Sequence, residues 1–94
     1  MDPIVITAIL VPKEGLEAQL LAELKKVQAA SQTEPGCIKF DLHQSIEDNT
    51  FVFYEIWRDA KAVEEHIQMS HYLEYRKNIA EIAISRKAYK LKVI

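Results

Sequence analysis

The sequence predicts one small α+β domain built on an antiparallel sheet. Three observations predict it. The chain has 94 residues, the size of a single domain, so we assign residues 1–94 to one unit. Its strand-like segments are separated by helical ones in the order strand, helix, strand, strand, helix pair, strand. That order is the split βαβ, ferredoxin-like arrangement.

The first strand and helix follow from their apolar patterns. Ile4 to Val11 is β-branched and apolar on both alternate faces, which is typical of a strand buried on both sides, and Pro12 closes it. A helix is expected from Lys13 to about Gln32, ended by Thr33-Glu34-Pro35-Gly36. The residues that recur there at helical spacing are Leu16, Leu20, Leu24 and Val27.

Two alternating segments joined by the turn-prone Glu47-Asp48-Asn49 predict a β-hairpin. One face of the first segment carries Ile38, Phe40 and Leu42, and one face of the second carries Phe51, Phe53, Glu55 and Trp57. Asp59 then stands where an N-cap belongs, and Ser70 is expected to cap another helix that runs to about Ala83. Alternation from Ala88 to Ile94 predicts the last strand.

The doubly apolar first strand predicts a homodimer. Helices of a ferredoxin-like fold cover one face of the sheet, and no further segment of this chain is left for the other face. Cys37 is the single cysteine, so an internal disulfide cannot support this small domain. We therefore expect two copies to pack sheet against sheet as a dimeric α+β barrel.

Composition excludes several classes of function. The net charge of −2 offers no basic footprint for nucleic acid. Met1-Asp2-Pro3 is not a basic signal region and Ile4 to Val11 is too short to span a bilayer, so a cytoplasmic protein with no membrane contact is expected. Gly15 and Gly36 are the only glycines, which leaves no phosphate-binding loop for a nucleotide.

Several motifs together resemble the antibiotic-biosynthesis monooxygenase (ABM) domain, over essentially the whole chain. They are Pro35-Gly36-Cys37, Phe53-Tyr54-Glu55-Ile56-Trp57, Ala62, His66 and Ser70-His71-Tyr72. The members most similar are small quinol-monooxygenase-like and autoinducer-2-degrading-like proteins. The resemblance implies a homodimer with a pocket between sheet and helices, and oxidation of quinol-like or anthrone-like aromatics by O₂ without metal or flavin.

Glu55 and His66 are the candidate catalytic residues. Glu55 and Trp57 leave the same strand face beside Phe53, where burial would raise the pKa of a carboxyl and suit it to act as a base. The alternative is a structural ion pair or hydrogen bond. His66 follows Val63 by one helical turn and can face the sheet near Trp57 as a base, or simply pack there.

The candidate substrate-binding residues are Trp57, Phe53, His71, Tyr72, Tyr75 and Arg76. His71 lies in a first helical turn, where the helix dipole disfavours its protonated form and leaves a neutral hydrogen-bond donor or a capping group. Arg76 is placed to reach an anionic group of the substrate or to remain in solvent. His66 and His71 are five residues apart, which is not the spacing of two metal ligands on one helix face, so no metal is expected, with or without Glu55.

Three functions remain open at this point. The first is a cofactor-independent monooxygenase acting on a small aromatic. The second is an isomerase of a small carbonyl compound, which is what autoinducer-2-degrading relatives imply, and a basic residue reaching the pocket would favour a phosphorylated substrate. The third is a dimeric module that binds a small ligand, or serves a stress response, without turnover.

Overall fold

The structure, a computed structural model, describes residues 2–94. Its elements are β1 (Ile4–Pro12), α1 (Glu17–Ser31), β2 (Cys37–Gln44), β3 (Phe51–Trp57), α2 (Ala60–His66), α3 (Ser70–Ile79) and β4 (Ala83–Leu91). The strands form one sheet in the order β2-β3-β1-β4, and every neighbouring pair is antiparallel. The predicted ferredoxin-like α+β fold is confirmed.

The core lies between the helices and one face of the sheet. On α1 the predicted stripe of Leu20, Leu24 and Val27 is buried, and this helix packs against β2 and α3. The sheet contributes alternate residues of its two central strands. They are Ile6, Ala8 and Leu10 of β1, and Phe51, Phe53, Glu55 and Trp57 of β3.

Three predicted element boundaries were wrong. α1 begins at Glu17 rather than Lys13, because the chain first turns through Gly15 at a φ of 84°. α3 ends at Ile79, and β4 begins at Ala83 instead of Ala88. The reason for the last two shifts is that β1 is paired along its length, so its final residue, Pro12, already has Ala83 as a partner.

Two local predictions also need correction. Ile38 does not share the buried face of β2, because Cys37 pairs with Trp57 and Lys39 with Ile56. Ile38 is therefore the extra residue of a β-bulge and is 62% exposed. Ser70 is the first residue of α3 and not its cap, since the N-cap position is held by Met69 without a side-chain hydrogen bond.

The second face of the sheet carries apolar side chains that stay accessible in the single chain. Tyr54 is 38% exposed, Tyr89 42% and Leu91 43%. Alternate residues of β1, from Val5 to Val11, share this face and are only half-buried. Over residues 2–94, no helix is both long and apolar enough to cross a membrane.

Candidate active site

A cavity of about 150 Å³ lies between the sheet and the helices. It is lined by Ile6, Val27, Phe40, Phe53, Glu55, Val63, His66, Ile67, Tyr72, Tyr75, Arg86, Ala88 and Lys90. Aliphatic and aromatic groups form most of the wall. The polar groups are a carboxyl, an imidazole, two phenols and two cationic side chains, which is the composition of a binding site for a small, partly polar molecule.

Glu55 enters the cavity from the middle of β3, between its strand partners Ile6 and Phe40. Its side chain is 5% exposed, and Oε1 accepts a hydrogen bond of 2.9 Å from Nε1 of Trp57. Burial raises the pKa of Glu55 to about 7, against the lowering effects of the Trp57 bond and the charge of Arg86. Near neutral pH this carboxyl can therefore both give and take a proton.

His66 reaches the cavity from the last turn of α2. The predicted cap starts this helix, since Asp59 accepts a hydrogen bond of 2.9 Å from the backbone N–H of Ala62. The imidazole is 3% exposed, with ring centroids of Trp57 at 4.3 Å and Tyr72 at 4.9 Å. Burial lowers the pKa of His66, although the neighbouring carboxylate of Glu34 opposes this. The ring is consequently a neutral base at pH 7.

A second buried carboxyl stands behind His66. Oε2 of Glu34 lies 2.7 Å from Nδ1 of His66 and 2.7 Å from Nε2 of His71. The side chain of Glu34 is 5% exposed, and it comes from the loop between α1 and β2. One carboxylate oxygen therefore joins both histidines that follow β3.

Two phenols and a guanidinium form the side of the cavity toward β4. Nε of Arg86 donates to the hydroxyl of Tyr75 at 3.2 Å, and Nη2 donates to the hydroxyl of Tyr72 at 3.5 Å. Burial raises the pKa of Tyr75, so its hydroxyl keeps its proton throughout the physiological range. Arg86 thus supplies a fixed positive charge within a largely apolar wall.

Five of the eight residues proposed from the sequence line the cavity. They are Phe53, Glu55, His66, Tyr72 and Tyr75. Trp57 is fully buried beneath His66 and holds Glu55 instead of forming the cavity wall. The structure places the other two away from the wall. His71 is turned to Glu34, and Arg76 is exposed and donates to the hydroxyl of Tyr72 at 3.0 Å.

Sequence reasoning missed three charged residues, Glu34, Arg86 and Lys90. Arg86 and Lys90 line the cavity on β4, whose start was placed five residues too late. Extending the alternating strand pattern back to Ala83 would have placed Arg86, Ala88 and Lys90 on the same face of β4. Glu34 lay in a segment interpreted only as a helix terminator, and nothing in that pattern signals burial.

The histidines also bear on the question of a metal. Glu34, His66 and His71 each offer a ligand atom, and these three atoms lie within 4.8 Å of one another. The possible group considered from the sequence had Glu55 in place of Glu34. A carboxylate with two imidazoles is a donor set that zinc uses.

The cavity is unsuited to cysteine chemistry. Cys37 begins β2 and is half-buried. Burial raises the pKa of its thiol to about 11, and the charges of Glu34 and Glu55 act in the same direction. The thiolate that a nucleophile requires is therefore scarce at neutral pH.

Fold and site together define a two-layer α+β protein with an acid–base cavity between its layers. Residues 3–78 match the family model described as "Antibiotic biosynthesis monooxygenase". The match covers more than half of the chain, and the chain therefore belongs to the antibiotic biosynthesis monooxygenase family. The resemblance seen in the sequence motifs is confirmed.

Individual relatives agree with this assignment. The chain is 32% identical over 75 residues to "Uncharacterized protein sll1783" of Synechocystis sp., covering 79% of this chain and 51% of that protein. It is 30% identical over 81 residues to "Putative monooxygenase Rv0793" of Mycobacterium tuberculosis, covering 86% and 80%. The chain spans about half the length of the first relative and most of the second.

Solved structures show the same fold. PA3566 from Pseudomonas aeruginosa superposes with a TM-score of 0.94 at 29% identity, covering 100% of this chain and 96% of that one. The structure of Rv0793 also gives a TM-score of 0.94, at 27% identity and with coverage of 98% and 95%.

Proposed function

We propose that this protein is a monooxygenase that oxidises a small aromatic substrate with O₂, using its own acid–base groups and neither metal nor flavin. The observation that carries the proposal is the buried imidazole of His66 in a cavity walled by aromatic rings. The family to which the chain belongs supports an oxygenase role. A quinol or an anthrone is the substrate class that fits this chemistry.

The size of the cavity favours the smaller of these two substrates. A cavity of about 150 Å³ accommodates a single benzene-sized ring. Phe53, Tyr72 and Tyr75 line this cavity, and aromatic rings attract a further ring in offset or perpendicular packing. A single-ring quinol is therefore expected to react faster than a three-ring anthrone.

The reaction begins with removal of a proton from the substrate hydroxyl by His66. The O–H bond breaks, the proton passes to the imidazole, and the electron pair stays on the substrate oxygen. The resulting anion is rich enough in electrons to reduce O₂ directly. One oxygen atom enters the substrate and the other leaves as water, and the substrate supplies all four electrons.

The remaining polar groups assist this step. Glu55, with a pKa of about 7, is suited to exchange a proton with the second substrate oxygen. Arg86 places a positive charge on the cavity wall where an anionic substrate can be stabilised. Burial of the site excludes water that would protonate the anion.

Oxygen uptake tests the proposal. Protein stripped of metal is incubated with a panel of quinols and anthrones, and O₂ consumption and products are measured. We expect turnover that falls at least about 100-fold in His66→Gln combined with Glu55→Gln. The control is His43→Gln, since His43 is exposed on β2 outside the cavity. No uptake by the wild type, or no loss in the double variant, would refute the proposal.

One observation favours a second candidate function. Arg86 and Lys90 are the basic residues that reach the cavity, and a basic wall suits a phosphorylated or otherwise anionic carbonyl compound. The same acid–base groups would then move a proton within the substrate, and no oxygen would be consumed. Turnover under strictly anaerobic conditions identifies this isomerase, whereas binding without any turnover identifies a ligand-binding module.

We further propose that the protein is a homodimer. The accessible apolar face of the sheet, with Tyr54, Tyr89 and Leu91, supports this assembly. Val52 lies on that face opposite Ile9 of β1, so Val52→Lys is expected to yield monomers. Sedimentation at micromolar concentration measures the oligomeric state of the wild type and of Val52→Lys. A monomeric wild type would contradict the proposal.

A further inference from the structure

Glu34 is a buried carboxyl that belongs to neither the cavity wall nor an ion pair with lysine or arginine among the described residues. Its partners are two imidazole nitrogens at 2.7 Å, a separation typical of charge-assisted hydrogen bonds. Burying a carboxylate costs stability unless such donors satisfy it. A buried carboxylate that contacts two imidazoles contributes little to apolar packing, so the contacts of Glu34 indicate a role in positioning these rings.

The contact with Glu34 determines which nitrogen of His66 carries the proton. An ionised carboxylate only accepts hydrogen bonds, so Nδ1 of His66 must hold the hydrogen that lies between them. Nε2 is then the unprotonated, basic atom. Among the described residues, 2–94, the hydrogen bond of the His66 side chain is made by Nδ1 and not by Nε2, and the ring lines the cavity.

The surroundings keep the imidazole in this orientation. The ring of Trp57 lies against one side of it at 4.3 Å and the ring of Tyr72 approaches at 4.9 Å. His71 donates from Nε2 to the same oxygen of Glu34 and so restrains the carboxylate. The side chain of His71 is 24% exposed, which makes this the end of the cluster nearest to solvent.

We propose that Glu34 is the positioning residue of the acid–base centre, holding His66 with Nδ1 protonated and Nε2 free to take a proton from the substrate. This inference rests on the proposed function only in giving His66 a substrate to deprotonate. When Nε2 takes the substrate proton, the new imidazolium still donates from Nδ1 to the carboxylate. The buried pair is then neutral, and no isolated charge forms in the core.

The same atoms argue against a metal as the primary occupant. Tetrahedral zinc, with ligand bonds of about 2.0–2.1 Å, keeps its ligand atoms about 3.3 Å apart. Both imidazole nitrogens lie instead at 2.7 Å from one oxygen, which is hydrogen-bond geometry. The cluster offers three donors, so a tetrahedral zinc ion there would need water or substrate as its fourth ligand.

Nitrogen NMR of the full-length chain tests the position of the proton without any substrate. The imidazole ¹⁵N shifts of His66 are expected to show a protonated Nδ1 and an unprotonated Nε2 at pH 7.5. The groups that act on this ring are Glu34, His71 and Arg86, so the titration is followed for both histidines. A protonated Nε2, or one equivalent of zinc retained by the purified protein, would overturn the proposal.

Glu34→Gln tests the role of the carboxylate, because it keeps the size and the acceptor while removing the charge. The pKa of His66 should fall by about one unit, and the acidic limb of the rate profile should move to lower pH by the same amount. We expect kcat to fall at least about tenfold with KM little changed. The control is Glu64→Gln, since Glu64 is exposed on the same helix as His66.

Failures of the two proposals can be told apart. An unchanged His66 titration and rate profile in Glu34→Gln would overturn the positioning role even in an active oxygenase. Absence of turnover together with the expected tautomer and titration shift would refute the oxygenase and support the positioning. Because the tautomer is measured in the wild type, the test remains decisive if the variant fails to fold.

Discussion

The raised pKa of Glu55 predicts that replacing this residue with Gln stabilises the protein at high pH and has little effect at low pH. Glutamine has the shape of a protonated glutamate, and its oxygen can accept the same hydrogen bond from Trp57. At acidic pH, wild type and Glu55→Gln are therefore close to isosteric. Above neutrality the wild type must bury a charge, whereas the variant does not.

The magnitude follows from the two pKa values. In the unfolded chain the carboxyl titrates near its ordinary value of 4.5, and in the folded chain near about 7. Between these values the folded state binds more protons than the unfolded state, so the free energy of unfolding falls as pH rises. At about 1.4 kcal/mol for each pH unit, the wild type loses about 3 kcal/mol relative to Glu55→Gln between pH 4.5 and 7. Above about pH 8, where the carboxyl is ionised in both states, the difference is constant.

Urea unfolding at a series of pH values from 4 to 8 measures this difference. Protein concentration is held fixed, because the stability of the proposed dimer would depend on it. Glu64→Gln serves as the control, since it makes the same substitution at an exposed position outside the cavity. A Glu55→Gln difference that is the same at pH 4.5 and pH 8 would refute the argument that burial raises the pKa of Glu55.

Three further predictions follow from single contacts. Trp57→Phe removes the donor to Glu55, so the pKa of Glu55 should rise further, by about one unit, in an infrared titration of the carboxyl. Gly36→Ala should destabilise by about 1–3 kcal/mol in urea, because its Cβ would overlap that of Ala62, and Ala62→Gly should restore part of the loss. In steady-state kinetics, Arg86→Met should lower kcat with KM little changed, because the guanidinium stabilises the substrate anion. A raised KM with an unchanged kcat would show that Arg86 contributes ground-state binding alone.

The fold was largely predictable because its signals are local. Leu20, Leu24 and Val27 define one helix face, and Phe51 to Trp57 alternates as a half-buried strand does. The boundary between α3 and β4 was not predictable in this way, since Ile82 and Ala83 fit a helical stripe as well as a strand. Pairing with β1 decides it, and pairing is a tertiary effect.

The site was predictable where strand or helix periodicity orients the side chain. Glu55 and Phe53 share a face of β3, and His66 faces the sheet from α2, as expected. Glu34 could not be found by the same reasoning because loop residues have no periodicity. Its burial depends on two histidines more than 30 residues away in sequence, which only the folded chain brings together.

In the proposed reaction, the charges around the cavity would let one site receive a neutral molecule and stabilise the anion made from it. Burial acts in opposite directions on the two acid–base groups, raising the pKa of Glu55 and lowering that of His66. Burial thus favours the uncharged form of both groups before the substrate has given up its proton. Arg86 remains charged, so the wall favours the anion over the neutral substrate. Once His66 has taken the substrate proton, its imidazolium would be paired with the carboxylate of Glu34 and the substrate anion with Arg86, so no unpaired charge would form in the core. Arg86 would therefore stabilise the substrate only after the proton has moved.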